Sequence, residues 1–209
     1  MTLKQKLLHY FLPSILLFAA LNWASTYPRV QLFYHSFFEQ ISLRACTAPH
    51  PEIYFKTKDT NTTTKLDELT ILFNSKEYLR KLIEAAKLSG RKGAYDYKGF
   101  IIYINETYVI PLIFFVSLVA LMPMQIAKKI AFLILGCILI IGFAYLTVYF
   151  KSISIIADSG VTGIDYFPKE LEFYRLRSYV FSSVTTISIA LLLWFPLFFT
   201  KIGFMNQTS

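Results

Sequence analysis

Four long apolar runs predict an α-helical membrane protein: four transmembrane helices, with a small extracytoplasmic α+β module between the first and second. The runs are Leu7–Ala24, Tyr108–Met124, Ile130–Phe150 and Tyr179–Thr200, and none contains Asp, Glu, Lys or Arg. A charge at the centre of a membrane helix costs about 2.5–3.5 kcal/mol on insertion scales, so their absence from every run carries information. Composition points the same way. The chain is 55% hydrophobic, against about 45–50% for soluble domains. Its 20 Phe and 14 Tyr suit helices anchored at lipid interfaces.

The elements follow in order. Residues 1–24 read as a short tail and the first transmembrane helix. Lys4 and Lys6 form a basic lead, as in a signal peptide. The run ends Ala20-Leu21-Asn22-Trp23-Ala24, which offers no small-x-small cleavage site, so an uncleaved signal anchor is expected. Residues 25–107 read as the extracytoplasmic module, which opens with an interfacial helix over 27–44. There Val30, Phe33, Tyr34, Phe37, Phe38 and Ile41 recur at helical spacing after Pro28. Next to a membrane exit, such a helix is expected to lie in the interface.

Pro49 and Pro51 break that helix. Glu52–Lys58 and Leu69–Phe73 are strand candidates, separated by the polar turn Asp59–Lys65. Ser75 then caps a helix over Lys76–Leu88, with Gly90 just beyond it. Tyr95–Asn105, rich in Tyr and Ile, reads as a strand or hairpin.

Residues 108–200 read as transmembrane helices two to four. Of these, Ile130–Phe150 is the clearest: at about 1.5 Å per residue it reaches about 31 Å, matching a hydrocarbon core of about 30 Å. An outer loop, 151–177, carries the turn signals Gly160 and Gly163, and Pro168 opens a charged helical stretch over Lys169–Arg177. Residues 201–209 read as a cytoplasmic tail.

Orientation is read from charge. Lys4, Lys6, Lys128, Lys129 and Lys201 lie on the face with the short loops, and all 13 acids lie on the other. By the positive-inside rule the short face is cytoplasmic, which places 25–107 and 151–177 outside a bacterial inner membrane. The inverted topology is the alternative. The net charge of +8 does not indicate nucleic acid, because Lys and Arg between Arg29 and Lys98 are interspersed with acids. Anionic lipid headgroups are the expected partner for that charge.

Three constellations could carry chemistry or contact. Arg44, Cys46 and His50 combine a thiol, an imidazole and a guanidinium, the ingredients of an activated cysteine nucleophile. Membrane transpeptidases of the exosortase and archaeosortase kind use Cys, Arg and His together. The weightier reading is an incidental cysteine at a helix end, so no catalytic residue is assigned. Asp158, Asp165, Glu170 and Glu172 cluster in the outer loop, but Lys169, Arg175 and Arg177 among them indicate solvated ion pairs. Ser182, Thr186 and Ala190, four apart in the last run, form a small face suited to close helix packing, within the chain or against a partner.

No cofactor and no metal site is expected. His9, His35 and His50 are too scattered to supply three or four ligands. Cys46 and Cys137 should sit at different depths, which disfavours a disulfide. No Walker loop or Ser-His-Asp signature occurs, and no ionisable residue lies mid-span to serve as a proton relay.

The layout is one span, an outer module, a tight helical hairpin, a short loop and a final span, with Asn105 and Pro111 at the entry to the second span. In this it resembles the small accessory membrane proteins that accompany exosortases in bacteria, of the exosortase H-associated type. The resemblance implies a partner to a C-terminal sorting transpeptidase rather than the enzyme itself. The expected function is a non-catalytic accessory subunit of an inner-membrane complex for protein sorting, partnered by another integral membrane protein. Two alternatives stand beside it. One is a membrane cysteine transpeptidase or protease using Arg44, Cys46 and His50. The other is a permease-like subunit, because the layout is also similar to cell-division and lipoprotein-release ABC permeases.

Overall fold

One helix dominates the fold. In the computed structural model, which describes residues 3–58, 66–89, 97–161, 168–180 and 187–195, helix α5 runs without a break over Ile126–Ser159. Its 34 residues extend about 51 Å at about 1.5 Å per residue. Its most apolar stretch has a mean hydropathy of 2.6, and only 22% of that stretch is buried by the rest of the chain. The core helix of a soluble protein would be mostly covered. α5 is thus long and apolar enough to cross a membrane.

The four-span expectation is corrected here, because among the described residues α5 is the only helix that meets that test. The second run, Tyr108–Met124, divides into a π-helical turn, Asn105–Val109, and the 11-residue α4, Ile110–Ala120. Together they reach about 24 Å, short of a hydrocarbon core of about 30 Å. Two prolines explain the division. Pro111 has no N–H to donate to the Thr107 carbonyl, so the α ladder cannot pass this point unbroken. Pro123 disfavours helix in the residue before it, and α4 ends upstream. The first run lies in α1, Leu3–Ser25, which contains Pro13 and whose described side chains include His9, Tyr10 and Asn22. The fourth run is entered by α6, Pro168–Val180, which already includes Tyr179; beyond it, 187–195 is helical and the rest of the run lies outside the described residues.

The chain forms two compact units. One contains α1, the π-helical turn, α4, α5 as far as Ala144, and helix 187–195. Its core joins Phe115, Leu118 and Val119 of α4 with Ile140 of α5 and Ala190 and Trp194. Phe18 of α1 meets Phe114 of α4 edge to face at 5.5 Å. Gly136 is what lets α5 come this close to α4: a Cβ there would lie 2.1 Å from the buried Phe115 ring. The Lys129 ammonium donates to the Ala120 carbonyl at 2.7 Å, closing the end of α4. Away from this core, Leu12 and Leu16 of α1 and Ile130, Ile134, Leu135 and Ile138 of α5 are exposed.

The other unit holds a three-stranded antiparallel sheet in the order β1 (Ile53–Thr57), β2 (Glu68–Ser75), β3 (Lys98–Tyr103). Phe55 pairs with Phe73, and Ile71 pairs with Phe100. Alternation puts Ile53, Leu69, Ile71, Phe73, Phe100 and Ile102 on one face, and all of them are buried. The Phe73 ring lies 6.2 Å from Phe55 and 6.1 Å from Phe100. β2 passes directly into α3, Lys76–Ser89, which adjoins the opposite sheet face.

Helix α2, Pro28–Thr47, buries Tyr34, Phe38, Ser42 and Ala45, a stripe spaced four, four and three. Its other side exposes Val30, Leu32, Phe33 and Phe37, with Phe33 80% open. An apolar face on both sides suits a helix whose outer aromatics meet lipid. The tail of α5 holds the sheet and α6. Lys151 Nζ donates to the Ile101 carbonyl at 3.1 Å, and Lys98 Nζ donates to the Ser159 carbonyl. Arg175 of α6 pairs with Asp158, and the Arg177 guanidinium lies 5.4 Å from the Phe150 ring. Gly160, at φ +62°, supplies the left-handed residue that ends α5.

Candidate functional site

The Arg44, Cys46 and His50 constellation does not assemble as a nucleophile. Arg44 and Cys46 are two apart on α2, and residues at that spacing do not face each other. Arg44 is exposed, whereas Cys46 is 0% exposed. Burial pushes the Cys46 thiol from 9.0 up to about 12. At pH 7 the thiol is therefore protonated. The Ser152 hydroxyl of α5 is its hydrogen-bond partner. That hydroxyl already donates to the Tyr149 carbonyl at 2.8 Å. Its contact with the thiol pulls the pKa part-way back, and burial outweighs it. Cys46 therefore ties α2 to the α5 tail.

His50 is 1% exposed, with Nδ1 3.4 Å from a Glu52 carboxylate oxygen. Burial lowers its pKa, and the Glu52 charge only partly offsets that. A neutral, buried imidazole at the end of α2 is a structural group, and its backbone carbonyl accepts from Ile53 N at the start of β1.

The buried thiol gives a pH signature. The folded pKa lies above the unfolded one, so the protonated thiol stabilises the fold fully below about pH 9, and that contribution is lost as pH rises towards about 12. Cys46→Ala should show a shallower fall in stability across this window than the parent. Maleimide at pH 7 should label Cys46 only after denaturation, with Cys137→Ser as the background. Fast labelling of the native chain would restore the case for a reactive cysteine.

The remaining candidates resolve as follows. Ser182 and Thr186 lie outside the described residues. Ala190 is buried in the core formed with Phe115, Ile140 and Trp194, so at this position the small face serves the chain's own packing. Asp158 pairs with Arg175, Glu170 and Glu172 are exposed on α6, and Asp165 lies outside the described residues. Among the described residues, no group of three or more His, Cys, Asp or Glu could hold a metal ion.

Sequence reasoning missed a groove of about 590 Å³ between α3 and the sheet face opposite the core. That volume falls in the range of ligand sites, about 300–1,000 Å³. Leu79 and Ile83 form its apolar floor, Tyr54 and Tyr97 stand at its sides, and Arg80 and Lys87 line the helix edge. The Lys56 ammonium lies 3.9 Å from the centre of the Tyr97 ring and holds that wall. The helix alone suggested only one buried face. The groove exists because Tyr54 and Tyr97, far apart in sequence, are brought to the same sheet face by strand register.

No family model, curated protein or solved structure matches the chain.

Proposed function

We propose that this chain is a non-catalytic accessory subunit of a bacterial inner-membrane complex. α5 anchors it, and the sheet unit reaches a partner outside the bilayer. One observation carries the reading: α5 continues from its exposed apolar stretch, through Lys151, into a tail to which β3 and α6 are clipped. A helix built this way transmits the position of the membrane to a recognition unit and supplies no chemistry of its own. Lys128 and Lys129 at its start support a cytoplasmic N-terminal end for α5, with its C-terminal end and residues 151–177 extracytoplasmic. The exposed aromatics of α2 add contact with the bilayer surface.

The partner in this reading is another integral membrane protein. Asn105, which opens the π-helical turn, and Pro111, in the first turn of α4, are the residues that carry the resemblance to exosortase accessory proteins, which would make that partner a sorting transpeptidase. The cysteine-enzyme alternative is disfavoured by the buried, protonated Cys46.

Copurification in mild detergent tests the proposal. A membrane protein should be recovered at a fixed ratio with the tagged chain, and equally with Cys46→Ala. Loss of the deletion-complementing phenotype in Cys46→Ala at normal protein level would overturn it.

A further inference from the structure

The groove on the sheet unit has a definite chemistry. Its floor is apolar, its sides are aromatic, and its charged lining is Lys76, Arg80 and Lys87 against a single acid, Glu84. Lys76 is held by the Pro51 carbonyl, and Arg80 Nε lies 4.0 Å from Glu84. Arg80 and Lys87 are exposed. A ligand that complements this lining is anionic, and also carries apolar or aromatic groups spaced to reach the floor.

We propose that the groove binds an acidic peptide segment of a partner protein, with its apolar side chains on Leu79 and Ile83 between the Tyr54 and Tyr97 rings and its carboxylates at Arg80 and Lys87. This rests on the reading of α5 as a membrane anchor. A lipid headgroup offers the same charge, but it presents one compact anionic group, whereas the lining sets two exposed cations beside an apolar strip and two aromatic rings, which suits a peptide that alternates acidic and apolar side chains. Guanidinium and ammonium groups beside aromatic walls suit acidic-motif recognition, in which charge steers the encounter and apolar pockets set selectivity.

The full chain in phosphatidylcholine nanodiscs is the material for the test. The probe is a fluorescein-labelled octapeptide alternating Glu or Asp with Phe and Leu, read by anisotropy against its Gln/Asn counterpart. Saturable binding is expected for the acidic peptide alone, weakening as salt rises. The double variant Arg80→Glu, Lys87→Glu changes only exposed helix positions and should weaken binding roughly tenfold. Ile83→Trp fills the groove without changing its charge and should also weaken it. No binding, or equal binding by all variants with helicity intact, would overturn the proposal. So would anionic phosphatidylglycerol vesicles, rather than the peptide, responding to the charge reversal, since lipid would then be the ligand. Failure of the anchor reading shows separately: a chain extracted from membranes by carbonate that still binds the peptide would sink the anchor and leave the groove's ligand in place.

Discussion

Ile134→Lys together with Ile138→Lys should remove the protein from the membrane. The two side chains lie four apart on α5, 58% and 60% exposed. In water such exposed positions accept lysine at little cost, commonly within about 0.5 kcal/mol. In hydrocarbon each lysine near the helix centre costs about 2.5–3.5 kcal/mol, so the pair costs about 5–7 kcal/mol. That is enough to turn an inserted helix into an excluded one. The measurement is the distribution between membrane and soluble fractions after carbonate extraction, with Ile134→Leu and Ile138→Leu as a control that keeps the volume. The double lysine variant should be extracted or degraded, and the leucine control should stay. Undiminished membrane retention would show that this face of α5 does not meet lipid. A parent chain already found in the soluble fraction would remove the anchor altogether.

The second large effect is in the sheet. Phe73→Ala should unfold the unit that carries the groove. Phe73 is 1% exposed in the central strand, between the rings of Phe55 and Phe100. Truncating a buried Phe to Ala costs about 3–5 kcal/mol, from lost transfer energy and the cavity left behind. Whole domains are stable by only about 5–15 kcal/mol, so a small sheet has little margin. Phe73→Leu keeps most of the volume and should cost less than half as much. Thr70→Ala, on the opposite face of the same strand, should change stability by about 0.5 kcal/mol or less. Thermal unfolding in detergent, followed by near-UV circular dichroism, ranks the three. If Phe73→Ala unfolds no earlier than Thr70→Ala, the packing of β1, β2 and β3 around this ring is wrong.

Much of the local structure is legible in the residues. Pro28 and the aromatic spacing after it mark α2. Alternation and β-branched or aromatic content mark the strands at Ile53–Thr57, Glu68–Ser75 and Lys98–Tyr103. The uncharged stretch Ile130–Phe150 marks the part of α5 that is able to cross a bilayer. What misled was treating every uncharged run as a span. Hydrophobicity reports the solvent a segment tolerates, whereas a span also needs an unbroken helix of sufficient length. Pro111 and Pro123 deny that to the second run.

By itself, then, the sequence determined where the chain turns and which segments are helix or strand, and it marked Ile130–Phe150 as the clearest of four apolar runs. These are properties of short windows, set by backbone sterics and by the free energy of transferring neighbouring side chains. That the other runs do not make spans among the described residues was decided by the structure. Only the tertiary structure decided which way individual side chains look. It put Cys46 in the interior beside Ser152 while Arg44 faces solvent, turning an apparent nucleophile into a packing contact. It also brought Tyr54 and Tyr97 to one face beside α3, making a groove that no window of sequence contains. The reason is physical. Burial and charge neighbourhood depend on contacts between residues distant along the chain, and those contacts arise only when strands pair in register and helices pack.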